Sequence, residues 1–402
     1  MTGSVDLADV AMARYDHRMP APYAADPAHS RGRLHSQPPS ATRDAFSRDR
    51  DRIVHCVAFR RLNGKTQVFA APHGDHYRVR LTHTLEVAQI ARTIARALGL
   101  NEDLTEACAL AHDLGHPPFG HAGEAALGAA LAGQGGWDHN GHTLRVVTRL
   151  ELPYPEMTGL NLSWETLEGL AKHNGPVHTP GWALAEADAQ WSLDLGSWSS
   201  LEAQVAALAD DIAYDCHDLD DALRSGLLDL DTVRTQPFLR DCWAAARARF
   251  PGVPEARVQG ELIREALGRM VADLIDHTRA LLAAATPASP DAVRGAGRAL
   301  VAFSPAMATT ERAFKAFLYR EFYHHPAVAR ITEPAARCLG MLFAAVIADP
   351  ARLPPDWAAT LPAMQPARAR HIADYLAGMT DHFAIREHER LIGPSPLPLD
   401  SF

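Results

Sequence analysis

Cysteine is scarce and scattered in this chain: Cys56, Cys108, Cys216, Cys242 and Cys338 form no CxxC pair. That leaves no basis for a thiolate zinc site or a disulfide scaffold, and a reducing, cytoplasmic setting is expected. No run approaches the roughly 18–20 apolar residues of a membrane helix. The N-terminus, MTGSVDLADVAMARYDHRMP, lacks a basic start followed by an apolar core, so neither export nor a membrane partner is expected. A basic excess is missing as well: the net charge of −9 argues against a surface devoted wholly to nucleic acid. Gly-rich phosphate loops of the GxxxxGK[ST] and GxGxxG types are absent, and so is a GxSxG nucleophile signature. Phosphate recognition by such a loop and covalent catalysis from a serine elbow are therefore unsupported.

What is present is ordinary globular material, 47% hydrophobic and 22% charged over 402 residues, enough for a large core in one or two domains. Alternating strand patterns are scarce, and the fold class expected is all-α. Residues 1–43, with stretches such as RLHSQPPSATRD, read as an extended N-terminal arm. A helical core is expected over 44–226, with a C-terminal helical region, 227–402, packed on it. His83, Val87, Ile90, Ile94 and Leu98 recur at helical spacing until Gly99, and Leu104 to His112 forms a second helix before Gly115 and Pro117-Pro118. Leu201, Val205, Leu208, Ile212, Leu219 and Leu223 mark a long central helix ending near Ser225-Gly226. Residues 176–200, rich in Trp and Gly, read as a loop or insertion with room for a short hairpin. From Arg31 to Arg80 the chain is locally basic, which suits a solvated arm or subunit contact as well as a phosphate-binding role.

The segment from His112 to His121, HDLGHPPFGH, concentrates three histidines and an aspartate in ten residues. A lone His-Asp pair is more often a core histidine beside a capping aspartate. Its company alters that balance. His83 shares the apolar stripe of its helix, and Asp210 interrupts an otherwise apolar helix, where an unpaired carboxylate would cost several kcal/mol. A divalent metal ion held by His83, His112, Asp113 and Asp210 removes that penalty, and imidazole with carboxylate suits Mg, Mn or another first-row ion. Asp210, Tyr214 and Asp218 share one face at i, i+4 and i+8. Asp211, Asp215, Asp220 and Asp221 read instead as a solvated polar face.

The chain resembles the HD-domain phosphohydrolases, and within them the deoxyguanosinetriphosphate triphosphohydrolase-like family. The resemblance rests on blocks in order: SRDRDRIVHCVAFRRLNGKTQVF, RVRLTHTLEVAQIAR, ACALAHDLGHPPFGHAGE, WDHNGHTLRVV, WETLEGLAKHNGP, LEAQVAALADDIAYDCHDLDDALRSG and HIADYLAGMTDHFA, from about residue 31 to 390. It implies an HD-domain helical core over 44–226 and the same four metal ligands. It makes His121 the catalytic imidazole with Glu124 as its carboxylate partner, although Glu124 also suits a first-turn residue facing a helix dipole. The reaction implied is attack of metal-activated water on the α-phosphorus of a deoxynucleoside triphosphate, releasing deoxynucleoside and triphosphate, with His121 protonating the departing 5′ oxygen.

By the same resemblance Arg80 and Lys172 supply cations for the phosphates, while Gln67, His116, His139 and Asn140 lie near sugar and phosphates. Tyr214 packs against the sugar, Asp218 bonds near the 3′ hydroxyl, and Tyr323 and His325 approach the base. Homo-oligomers and nucleotide effectors are implied too. One departure stands out: His142 replaces the amide common in HN-Ala-Gln-Ser/Thr, which puts base preference or rate in question. Two other readings remain at this point: an HD phosphohydrolase of another nucleotide ester, or a nucleotide-responsive binding module whose basic arm contacts single-stranded nucleic acid.

Overall fold

The computed structural model describes residues 20–67 and 78–397. The start of the expected arm, Asp75 of the basic segment, and the Val68-Phe69 end of the first family block lie outside the described residues. Among the described residues there are no strands, only the isolated bridges Arg33–Ser163 and Thr66–Val79, and the fold is all-α as expected.

Helix α1 is Ala45–His55, α2 Arg80–Leu98, α3 Glu102–Ala111, α4 Gly120–Ala130, α5 His139–Arg145, α6 Trp164–Ala171, α7 Trp182–Gln190 and α8 Leu201–Arg224. Local chemistry sets these limits. Gly99 ends α2 in a left-handed conformation (φ 70°) that returns its N–H to Ala95 and Arg96 carbonyls, and Asn101 caps α3 by accepting from Leu104 N. Ser200 caps α8 by accepting from Ala203 N. Helices α2 and α3 pack on each other and on α8, and α1 covers α3. Val87, Ile94, Leu104, Val205, Ala209 and Ile212 are buried along these contacts, each large aliphatic side chain contributing about 1.5–3 kcal/mol.

The C-terminal region adds α9 (Pro237–Arg249), α10 (Glu255–Ala285), α11 (Pro305–Leu318), α12 (Pro326–Ala348), α13 (Ala367–Ala377) and α14 (Asp381–Leu391). By length and composition α12 passes as a membrane-crossing helix, which the expectation of no such run had missed. It is the spine of a second apolar cluster, with Cys338, Leu339, Leu342 and Val346 packed against Leu127 of α4, Ile372 of α13 and Ile385 of α14. α11 packs on α8, and so brings the C-terminal region over the face that carries Asp210.

Three details differ from the sequence reading. From Pro20 the arm is tied down: Ala24 and Ala25 are buried, Ala25 N donates to Glu202, and Arg31 N and Ser30 Oγ donate to Glu165. Much of the basic segment serves internal ion pairs, Arg33 with Asp49, Arg50 with Asp103 and Arg78 with Asp220 and Asp221. Residues 182–190 form helix α7 rather than a hairpin. Trp182 Nε1 donates to Gly136 O, and its ring takes the guanidinium of Arg370 over its face at 4.2 Å, so tertiary contacts fix a segment with little periodicity of its own.

Candidate metal centre

The three helices that pack together deliver one ligand group each. His83 comes from the first turn of α2, His112 and Asp113 from the C-terminal end of α3, and Asp210 from the middle of α8. His83 Nε2 lies 2.9 Å from Asp210 Oδ1, and His112 Nε2 lies 3.4 Å from both Asp113 Oδ1 and Asp210 Oδ1. Donor atoms of His83, His112 and Asp113 fall within 4.8 Å of one another.

The residues fit a divalent ion. His112 Nδ1 faces the carbonyl of Ala109 at 2.6 Å, an atom that only accepts, so a neutral ring keeps its hydrogen there and offers the Nε2 lone pair to the carboxylates. That Nε2 is buried without a hydrogen-bond partner. Burial opposes charge on His112, yet Asp113 and Asp210 outweigh it and lift its pKa to about 9. Burial likewise works against ionised Asp113, but the Arg80 guanidinium, 2.9 Å away, and the imidazoles of His112 and His116 hold the carboxyl well below its ordinary range. The centre is thus an anionic cradle that recruits positive charge, and a metal satisfies it better than a proton because it uses both imidazole lone pairs.

The loop after α3 presents the second group of histidines. Gly115 is required there by close approach, since a Cβ would stand 2.2 Å from His139 O and 2.3 Å from Thr143 N. Asp381 on α14 accepts from Phe119 N, Thr66 N and Thr66 Oγ1, and Lys65 Nζ donates to the carbonyls of His116 and Ala377. Those bonds set the start of α4 and hence His121. Its Nδ1 lies 3.5 Å from Glu124 Oε2, while the other Glu124 oxygen is 2.8 Å from His139 Nδ1. Burial would raise Glu124, but hydrogen bonds to His121 and His139 hold it well below the carboxylate range, so it stays ionised.

One cavity of about 390 Å³ joins both groups. It is lined by the four metal-cradle residues and, from the other expected site residues, by His121, Gln67, Arg80, His116, His139, Tyr214 and Tyr323. Glu124 stands behind His121 and His139. Asp218 lies under the cavity wall, accepting from the Tyr323 hydroxyl, with the Tyr214 and Tyr323 rings stacked 5.9 Å apart above it.

Besides Glu124 and Asp218, three further expected residues do not line this cavity. Lys172 is buried in a bond set with Glu168, Ser197 Oγ and Trp198 O, where Arg294 also meets Glu168. Asn140 is half-buried on α5, and His325 caps α12 by accepting from Ala327 N. His142, the departure from the family amide, also lies off the cavity: its Nδ1 donates to Gly115 O at 2.8 Å, so it braces the loop.

The structure adds wall residues that sequence reasoning passed over. His173 stacks on His112 at 5.4 Å and lies 3.4 Å from Asp210 Oδ2; its signal was the His-Asn pair directly after Lys172. Asp211, Asp215, Lys315 and Tyr319 also line the cavity. The solvated-face reading of the α8 aspartates is corrected: Asp215, Asp220 and Asp221 are buried, because α11 and the Arg78 segment cover them, and Lys315 of α11 pairs with Asp211 at 2.7 Å.

Residues 80–215 match the HD domain family and residues 301–390 match the phosphohydrolase-associated domain family. The first span holds α2 to the part of α8 that carries Asp210, and the second holds the C-terminal helices from α11 on, of which α11 lines the cavity. The chain is 51% identical over 395 residues to the deoxyguanosinetriphosphate triphosphohydrolase-like protein of Nitrobacter hamburgensis, covering 94% of this chain and 97% of the relative. It is 51% identical over 390 residues to the protein of the same name from Bradyrhizobium diazoefficiens, with the same coverage, and 50% identical over 394 residues to that of Brucella anthropi, covering 95% and 98%. A cradle of two imidazoles and two carboxylates at the meeting of three helices, seen with identity over nearly the whole length, leads to one statement: this chain belongs to the deoxyguanosinetriphosphate triphosphohydrolase-like family of HD-domain phosphohydrolases.

Proposed function

We propose that this protein hydrolyses deoxynucleoside triphosphates to deoxynucleoside and inorganic triphosphate, in a metal-dependent reaction at the α-phosphorus. The observation that carries this reading is one cavity lined both by the His83, His112, Asp113 and Asp210 cradle and by His121, Tyr214 and Tyr323. A divalent ion in the cradle supplies the Lewis acidity that makes water a nucleophile near neutral pH. The chain's own groups do the rest.

Glu124, ionised and 3.5 Å from His121 Nδ1, orients that ring. As general acid, His121 gives a proton to the 5′ oxygen as the bond from that oxygen to phosphorus breaks and the bond to the water oxygen forms, while the proton that the water loses passes to bulk solvent. Arg80 fixes Asp113 and presents buried positive charge at the cavity wall, and the partly exposed Lys315 adds a cation there from α11, paired with Asp211. Tyr214 sits edge-on to His121, 6.5 Å between centroids, and both line the cavity, so a sugar would pack against the phenol ring and an extra 2′ hydroxyl would meet it.

The direct test is product analysis with each of the four dNTPs and Mn²⁺ or Mg²⁺, beside an Asp210→Ala control. Deoxynucleoside plus intact triphosphate, lost in the control, is the expected result. Pyrophosphate or single phosphates as products would reject attack at the α-phosphorus with triphosphate leaving. No turnover of any dNTP, alone or mixed, would favour another nucleotide ester.

A further inference from the structure

The block HIADYLAGMTDHFA contributes none of the residues that line the cavity, yet it grips the loop that leads to His121. It covers the end of α13, the turn after it and the start of α14. Thr380 caps α14 by accepting from Phe383 N, which leaves the neighbouring Asp381 carboxyl to point back into the protein, where it is 2% exposed. One of its oxygens accepts from Phe119 N and the other from Thr66 N, each at 2.9 Å, and the Thr66 hydroxyl adds a third bond. Lys65, equally buried, ties the carbonyl of Ala377, where α13 ends, to that of His116. The turn fits closely: a Cβ on Gly64 would stand 2.8 Å from Thr380 Cγ2.

The loop needs such a hold. Phe119 has φ 66° and ψ 21°, and Gly120 follows at φ 56°, so two successive residues are left-handed where the chain turns into α4. Glycine takes that conformation freely, whereas an aromatic residue adopts it only where its surroundings enforce it. The Phe119 ring is packed in the apolar cluster of α12, α13 and α14, and its N–H donates to Asp381. The ring of His121, by contrast, is 61% open, so the backbone beneath it places it more than packing around it does.

We infer that Asp381 is a positioning residue for His121: with Lys65 it holds the left-handed corner at Phe119 and Gly120 that aims this imidazole into the cavity. The role of His121 rests on the proposed function; the way the corner is held rests on the hydrogen bonds alone. Helices α13 and α14 thereby take a part in the reaction without reaching the cavity. An amide cannot replace the carboxyl, because one of its ends donates and would face either Phe119 N–H or the Thr66 donors. A ring displaced by about an ångström from the departing oxygen costs turnover up to about a hundredfold, while the cradle is untouched.

The test is a double-mutant cycle on the full chain, with Mn²⁺ and the dNTP turned over fastest. Asp381→Asn is expected to lower kcat about ten- to a hundredfold, with KM changed less than about twofold and the cradle ion retained in elemental analysis. In a His121→Ala background the same substitution should lower kcat less than about twofold, since no ring remains to be misplaced. An equal loss in both backgrounds would overturn the inference, because a general loosening of the fold or of the cradle acts whether His121 is present or not. Lys65→Met, which removes the bonds from Nζ and keeps an apolar stem, should show the same non-additivity with a smaller loss, and it carries the test should Asp381→Asn fail to fold. Amide hydrogen exchange needs no turnover: in either variant it should quicken at least about tenfold over residues 119–123 and stay unchanged in α2 and α3. Unchanged exchange over 119–123 would overturn the inference whatever the activity. Quickened exchange there in a protein that hydrolyses no dNTP would leave the hold on the loop standing and remove the proposed function instead.

Discussion

His83, His112 and Asp113 are each at most 4% exposed, whereas His121 leaves 61% of its side chain open. Both groups are built from imidazoles and carboxylates, and one residue, His116, touches each of them. Their difference lies in what surrounds them. The cradle is enclosed by three packed helices, where unpaired charge is costly and a bound cation is strongly favoured. The rim, from His121 to His139, hangs on a loop and two helix starts, and in the proposed reaction its open ring is the one that would meet substrate and give it a proton. Exposure does not follow the grouping residue by residue, since Asp210 leaves 24% of its side chain open and His116 is 3% exposed, but His121 is the most open imidazole of the two groups.

That division can be broken at several points. The largest effect is expected from Asp210→Ala, which removes a carboxylate shared by His83, His112 and His173. Turnover should fall by about a thousandfold or more, with loss of the cradle ion in elemental analysis. Retention of both would show that the cradle is not the metal centre.

His121→Ala should lower kcat by roughly a hundred- to ten-thousandfold with the cradle ion still bound. Glu124→Gln, which acts through the neighbouring rings, should cost less, about ten- to a hundredfold in kcat with little change in KM. Steady-state kinetics on the two variants rank them, and a larger loss for Glu124→Gln would mean that the carboxylate itself handles the proton.

Tyr323→Phe removes the hydroxyl that bonds Asp218 beneath the cavity wall. Burial pushes the Asp218 carboxyl well above its ordinary range and so works against its charge, which leaves about 0.5–1.5 kcal/mol at stake in this hydrogen bond. A rise in KM of about tenfold, exceeding any fall in kcat, is the pattern expected if this pair shapes the sugar side of the cavity. An equal fall in kcat with KM unchanged would move its role to the reacting atoms.

The smallest effect concerns stability. Burial drives the pKa of His142 from 6.5 in the unfolded chain to about 4 in the fold, with Asp374 opposing in part. Between those values the unfolded chain binds a proton that the fold refuses, so stability declines as pH falls from about 6.5 towards 4. His142→Gln, which restores the family amide, should flatten that decline in urea unfolding at a series of pH values while changing kcat little. An unaltered pH slope would mean that other groups dominate the acid limb.

The cradle was legible in the sequence because its signals are local and costly: an apolar stripe starting at His83, a dense HDLGH segment, and Asp210 alone in an apolar helix. Helix limits followed from Gly99 and the long stripe of α8 for the same reason. The α8 aspartates misled because spacing along a helix shows which residues share a face, not what covers it; α11, arriving from about a hundred residues away, decided that. Lys172 and His173 show the same limit between adjacent residues, one buried against Glu168 and the other on the cavity wall.

By itself the sequence determined an all-α chain of this family and four residues able to hold a metal, because periodicity and the cost of burying charge act over a few turns of helix. Only the tertiary structure decided that His116 and His139 stack, that Arg80 is pledged to Asp113, and that Lys315 and Tyr319 reach the cavity. Those relations join residues far apart in the chain, and they depend on how whole helices pack rather than on any pattern within one of them.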